Sequence, residues 1–147
     1  MSLYPWKNCQ PDSFHHLQKP LAECNVAIVS SAGLYDFHSQ ETFDLTILGG
    51  DYSYRIIPSD INMNFLREGH RSNSFDHEGI RGNPSTGLPI PQLNALVKEG
   101  CIGKINWRHF SIMGSITAPT RFIKNTVPDI VKYLKADYVD VVLLVPV

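Results

Sequence analysis

The fold class predicted is α/β: a three-layer, Rossmann- or flavodoxin-like domain with a central, mostly parallel sheet, incomplete at its C-terminus. Three observations predict it. In "NVAIVSSAG" an apolar run, Val26 to Val29, is broken by Ser30, Ser31, Ala32 and Gly33, the pattern of a buried strand entering a tight turn. "DYVDVVLLVPV", Asp137 to Val147, is a continuous Val/Leu run of the kind found in strands covered on both faces. Ile123, Val127, Ile130 and Leu134 form a helical stripe leading directly into that run, so helix and strand read as the αβ half of a parallel crossover.

Along the chain, residues 1–24 are polar, with prolines at 5, 11 and 20, and read as a non-regular arm with a short helix around "FHHLQ". The α/β domain is expected to occupy 25–147. "FDLTILGGDYSYRIIP" suggests extended pieces at Leu45–Leu48 and Tyr52–Ile57, with Gly49-Gly50-Asp51 turning between them. Arg67 to Pro89 is polar, aperiodic and rich in Gly, Ser, Asn and Pro, and reads as one long loop of the functional or disordered kind. "PQLNALVKEG" predicts a helix with Leu93, Leu96 and Val97 on one face and Gly100 at C′. "CIGKINWRHFSIMGSI" mixes apolar and aromatic residues around turns. Pro128 interrupts the last helical stretch, and the simplest resolution is a new helix capped by Thr126, with Pro128 in its first turn and Asp129 at N3.

Composition excludes several classes. A formal net charge of −1, with 13 scattered Lys and Arg, argues against nucleic acid and against a polybasic membrane patch. No apolar run reaches the ~20 residues of a membrane span, and no signal peptide is visible at the start. The 3 Cys, at positions 9, 24 and 101, are few and widely spaced, which fits the cytoplasm better than a disulfide framework.

Chemistry-bearing motifs are sparse. Ser30, Ser31 and Gly33 offer a turn that can hold an anion through backbone N–H groups, although a plain tight turn is the favoured reading. No G-x-G-x-x-G or Walker sequence accompanies it. In "HRSNSFDH", His70 and Arg71 are candidate donors to a substrate carboxylate, and polar surface is an equal alternative. His70, Asp76 and His77 are ligand types, but Ser72 and Ser74 stand where a metallo-hydrolase pattern needs histidines, so no metal is expected. Near "NWRHFSIMG" a satisfied core His109 is favoured over base stacking. His15-His16 receives no role. No catalytic triad, nucleophile elbow or activated cysteine is legible.

Five stretches in order, "VAIVSSAGLY", "GGDYSYRIIPSD", "REGHRSNSFDHEGI", "LPIPQLNALVKEGCIGKINWRHFSIMG" and "LKADYVDVVLLVPV", resemble the selenoprotein B family of glycine, betaine, sarcosine and D-proline reductases. The resemblance covers roughly residues 25–147. It implies that the closing strand leads into a redox centre, a selenocysteine or cysteine followed by a Cys, immediately beyond Val147. No catalytic residue is therefore expected within these residues. The chain then reads as the N-terminal portion of a reductase, ended where UGA is read as stop, and inactive by itself. The resemblance further implies reductive C–N cleavage of an amino-acid-like substrate, partner subunits carrying a pyruvoyl group, and electrons from a thioredoxin-type dithiol. A homo-oligomer, as a dimer, is expected to cover the apolar surface left bare. Two other readings are a complete small-molecule-binding or regulatory domain without catalysis, and a racemase-like enzyme, which also needs a Cys that this chain lacks.

Overall fold

β1 (Asn25–Ser30) is the strand around which the sheet is built. In the computed structural model, which describes residues 16–147, one side of β1 is taken by β7 (Val141–Val145), parallel and in register from Val26 opposite Val141 to Ser30 opposite Val145. The other side is shared by two short parallel strands in series, β5 (Lys104–Ile105) and β6 (Arg108–Ile112). β3 (Tyr54–Pro58) pairs antiparallel with β6, Ile56 opposite Phe110. Across the sheet the order is β3, β6, β1, β7, with β3 the antiparallel member. β2 (Leu34–Asp36) and β4 (Leu66–Glu68) form a separate antiparallel ribbon.

Alternation along β1 sends Val26 and Ile28 to one face and Ala27 and Val29 to the other. The first face packs with Leu34, Ile57, Leu66 and Leu88, with Ile80 of α1 (His77–Gly82), and with Ile90 and Leu93 of α2 (Ile90–Lys98). On the second face Val29, Ile112, Val142 and Leu144 meet Val127, Ile130, Val131 and Leu134 of α3 (Val127–Ala136). Helices on both faces of a mixed, mainly parallel sheet make this an α/β domain, as expected. The connection from β6 through α3 to the parallel β7 is the predicted crossover.

Both long helices end in Schellman motifs. After α2, Gly100 (φ 73°) donates from its N–H to Val97 O and Cys101 donates to Leu96 O. After α3, Tyr138 (φ 53°) donates to Lys135 O and Val139 to Leu134 O. Tyr138 is a bulky residue in a conformation that glycine adopts without strain.

Several local expectations are corrected. Leu45–Leu48 is a turn rather than a strand, because Asp44 Oδ1 accepts from both the backbone N and Oγ1 of Thr46 and curls the chain. Leu48 is almost wholly exposed. The polar stretch 67–89 is not a single loop: it contains the end of β4, α1 and a 3-10 turn at Pro84–Thr86. Asp76 nucleates α1 by accepting from Gly79 N. Residues 104–112 supply strands beside β1, where turns were read. Thr126 is not a cap. Its backbone is helical, its hydroxyl donates to Tyr52 O, and a π turn over Phe122–Thr126 runs without a break into α3. The extra residue in that turn also rotates the stripe. Phe122 joins the apolar face, while Ile123, expected there, is 45% exposed. Of the N-terminal arm, residues 1–15 lie outside the described region, and with them Cys9, Phe14 and His15; the described part of the helix expected around "FHHLQ", His16 to Gln18, is not helical. Lys19 Nζ meets Asp140 Oδ2 at 2.8 Å. Among the described residues no helix is long and apolar enough to cross a membrane.

Candidate functional site

The C-terminal ends of the parallel strands β1, β6 and β7 lie together, and in open α/β sheets that edge is where ligands bind. The turn after β1 organises it. Ser30 is fully buried, and its Oγ accepts from Ala32 N at 3.2 Å, so it shapes the turn and its hydroxyl is already engaged. Ser31 holds the end of β7. Its backbone N donates to Val145 O, and its Oγ accepts from Val147 N at 2.9 Å. Gly114, just past β6, donates to Ser31 O at 2.9 Å. Gly33 (φ 65°) accepts at its carbonyl from Gly69 N, and a Cβ placed on it would touch the Gly69 and His70 backbone at 3.4 Å. Glycine suits this position for both its positive φ and this approach.

The second loop brings His70 and Arg71 to the same edge. His70 is 7% exposed and stacks on Phe75 at 4.1 Å between centroids. Burial lowers its pKa, so the ring is neutral at pH 7. Its Nδ1 accepts from Ser72 N at 3.2 Å, which puts the proton on Nε2. That buried Nε2 has no hydrogen-bond partner among the described residues. Arg71 braces two loops, donating from Nη1 to Ile47 O at 3.0 Å and from Nε to Ser115 Oγ at 3.3 Å. The five sequence-predicted candidates, Ser30, Ser31, Gly33, His70 and Arg71, thus belong to one cluster of loops.

The His70 loop is fastened from below by Glu68, Asp76 and His77. Glu68 accepts from His70 N, and its Oε2 lies 3.0 Å from His77 Nδ1 and 3.2 Å from Arg81 Nη2. The other ring nitrogen of His77 is 3.0 Å from Ser72 O. Both nitrogens therefore face acceptors, and the Glu68 contact above all raises the pKa of His77. With Asp76 capping α1 and His77 spent on Glu68 and Ser72, these residues do not converge with His70 on a point. No group of three metal-ligating side chains with suitable geometry occurs among the described residues.

Two buried polar groups belong to the scaffold. His109 is fully buried, with Nδ1 accepting from Ile28 N at 3.1 Å and Nε2 3.1 Å from Ser59 Oγ, which in turn donates to Asn106 O. Burial holds its pKa down at about 4. This is the satisfied core histidine expected from sequence. At the N-terminal end of the sheet, Arg108 grips Asp137 with two bonds of 2.6 and 2.7 Å, between the rings of Trp107 and Tyr133. Asn106 adds a third bond to the same carboxylate at 2.9 Å. Sequence reasoning missed this junction, since Arg108 and Asp137 are far apart in the chain.

No family model matches the sequence. No solved structure matches it either. It is similar to D-proline reductase subunit gamma of Acetoanaerobium sticklandii, 30% identical over 134 residues, which is 91% of this chain and 53% of that protein. The chain spans about half the length of the curated relative it matches. Over nine-tenths of its own length, the chain is related to a proline-reductase subunit.

Proposed function

We propose that the chain is the N-terminal scaffold of an amino-acid reductase of the D-proline reductase type, and that residues following Val147 supply its reactive selenocysteine or cysteine. The observation that carries this reading is the bond from Val147 N to Ser31 Oγ. It fixes the exit of β7 against the turn after β1, in the loop cluster that contains His70 and Arg71. The similarity to a reductase subunit over most of the chain supports it. A selenolate or thiolate there supplies the nucleophile for reductive C–N cleavage, with a dithiol as electron source. This chain's own residues position and bind. Ser31 orients the strand end. The neutral His70 holds a proton on an Nε2 that lacks an acceptor, and Arg71 adds positive charge, a donor set suited to a carboxylate. Without the residue beyond Val147, the 147-residue chain has no turnover.

Two measurements test this. The codon after Val147 is expected to be UGA, or a Cys codon, with in-frame sequence resembling the second half of the relative. The 147-residue chain with dithiothreitol is expected to leave D-proline, glycine, betaine and sarcosine unchanged. Turnover by the chain alone, or a different codon followed by unrelated sequence, sinks the reading.

A further inference from the structure

Behind the loop that Arg71 braces lies a cleft of about 290 Å³, lined by Ile47, Leu48 and Tyr52 from one segment and by Ala118, Thr120 and Arg121 from another. We propose that this cleft binds a small organic carboxylate with an apolar body, through an ion pair to Arg121 and contact with Tyr52 and Leu48. Neither His70 nor Arg71 lines it, so it is a site apart from the strand-end cluster, sharing with it only the Ile47 loop.

The walls are tied to each other before any ligand arrives. Gly49 O accepts from Thr117 N at 2.8 Å and from Ala118 N at 3.0 Å, and Tyr52 O accepts from the Thr126 hydroxyl. Ile47 O takes both Gly50 N and Arg71 Nη1, each at 3.0 Å. Gly49 has φ 89°, and a Cβ placed on it would lie 2.6 Å from Ala118 Cβ, so only glycine lets the two segments close to this distance. A cleft fixed in this way costs little ordering when it is filled. At the tip of the turn Leu48 is 99% exposed. Laying that side chain on an apolar ligand removes it from water, which nothing in the fold itself does.

Charge selects an anion as the occupant. Arg55, Arg67, Arg71, Arg81 and Arg108 are each engaged by hydrogen bonds or carboxylates. Arg121 makes neither kind of contact among the described residues. Its guanidinium stands 5.7 Å from the centre of the Tyr52 ring, where the other four arginine–ring contacts are 4.3 or 4.4 Å. No Asp or Glu occurs between Cys101 and Pro128 to neutralise it, and Lys124, one helical turn on, adds to the positive charge. On the other segment the two carboxylates are spent: Asp44 on Thr46, and Asp51 on the backbone N–H groups of Asp44 and Ser53. A guanidinium fork matches a carboxylate with two parallel bonds. The aliphatic side chains of Ile47, Leu48 and Ala118 and the Tyr52 ring favour an organic body over a bare inorganic anion.

The test titrates benzoate into the 147-residue chain and follows backbone amides in proton–nitrogen correlation spectra. The amides of Gly49, Gly50 and Ala118 are expected to shift together and to saturate with a Kd of about 1 mM or tighter. Arg121→Gln is expected to weaken binding roughly tenfold or more. Its denaturation midpoint should not change, because Arg121 holds no other element in place. Leu48→Ala is expected to cost roughly threefold in affinity. His70→Gln, in the neighbouring loop, is expected to leave benzoate affinity unchanged. Inorganic phosphate, which has charge without an apolar body, and benzyl alcohol, which has the body without charge, are each expected to bind roughly tenfold more weakly than benzoate. The proposal is overturned if those amides do not move at about 10 mM benzoate. It is equally overturned if Arg121→Gln binds as the wild type does, or if phosphate binds as tightly as benzoate, which would mark an adventitious ion only. Loss of binding in His70→Gln but not in Arg121→Gln would put benzoate in the strand-end cluster and also overturn it. None of these readouts requires turnover or residues beyond Val147, so the reductase reading is decided separately by its own two measurements.

Discussion

The backbone N–H of Ile28 in the middle of β1 donates to an imidazole, His109 Nδ1, at 3.1 Å. β5 and β6 are two pieces of strand with a gap between them, and the ring of His109 fills the ladder bond that the gap removes. The requirement is for a neutral ring, because Nδ1 must accept. The pKa of about 4 meets it at pH 7.

The sign of the pH effect follows. Between about 6.5 and 4 the unfolded chain protonates this histidine and the folded chain does not, so stability falls as the pH drops through that window. At about 1.4 kcal/mol per pH unit the loss reaches roughly 3 kcal/mol by pH 4. Urea denaturation at pH 7 and 4.5 checks it. His109→Gln, which keeps an acceptor but does not titrate, is expected to flatten the slope. An unchanged slope in that variant would show that other groups cause it.

Tyr138 holds a left-handed backbone (φ 53°) and is 86% exposed, so its side chain gives little packing in return. Tyr138→Gly is expected to raise stability by about 1 kcal/mol, the strain of a non-glycine residue in this region offset by the greater chain entropy of glycine when unfolded. The denaturation midpoint should rise with no change in slope.

Asp137→Ala leaves Arg108, 12% exposed, without its carboxylate. A cost of about 3–5 kcal/mol is expected, because the uncompensated charge stays buried. The Arg108 bond above all lowers the pKa of Asp137, so this contribution is fully present above pH 3.8 and is lost as pH falls through the lowered folded value. That window lies below the one set by His109, so the two separate in an acid titration.

His77 behaves in the opposite sense. Its folded pKa is raised, so the clasp on the His70–Ser72 loop is fully made below pH 6.5 and is lost as pH rises through the folded value. Limited proteolysis is expected to cut between residues 69 and 77 faster at pH 9 than at pH 6. His77→Gln should abolish that difference.

The legible parts of the fold were those whose signal is local. Val26–Val29 announces itself as a buried strand, Val141–Val145 as a strand and Gly100 as a helix stop by residue type alone, but the burial expected for Val141–Val145 is not found: Val142, Leu143 and Leu144 are 36%, 37% and 68% exposed. β5 and β6 were illegible because Asn106, Trp107 and Arg108 interrupt the alternation. The reason for the interruption, a network joining Asn25, Asp137 and Arg108, exists only after folding. The candidate residues at the strand ends were visible as types. What was not visible is how each is used: Ser30 inside its own turn, Ser31 on Val147, Arg71 between two loops. The last two assignments depend on contacts between segments 24 to 116 residues apart.

The π turn at Phe122–Thr126 carries one residue more than an α-helical path would need. It therefore works as a phase shifter: everything upstream is turned by about 100° against everything downstream. Upstream of it lies Ala118, whose N–H donates to Gly49 O, in the loop that Arg71 braces through Ile47. The aim of that loop is thus indexed to the rotational phase of a helix several residues away. Inserting or deleting a single residue between Phe122 and Thr126 would retune the strand-end cluster without touching any of its side chains.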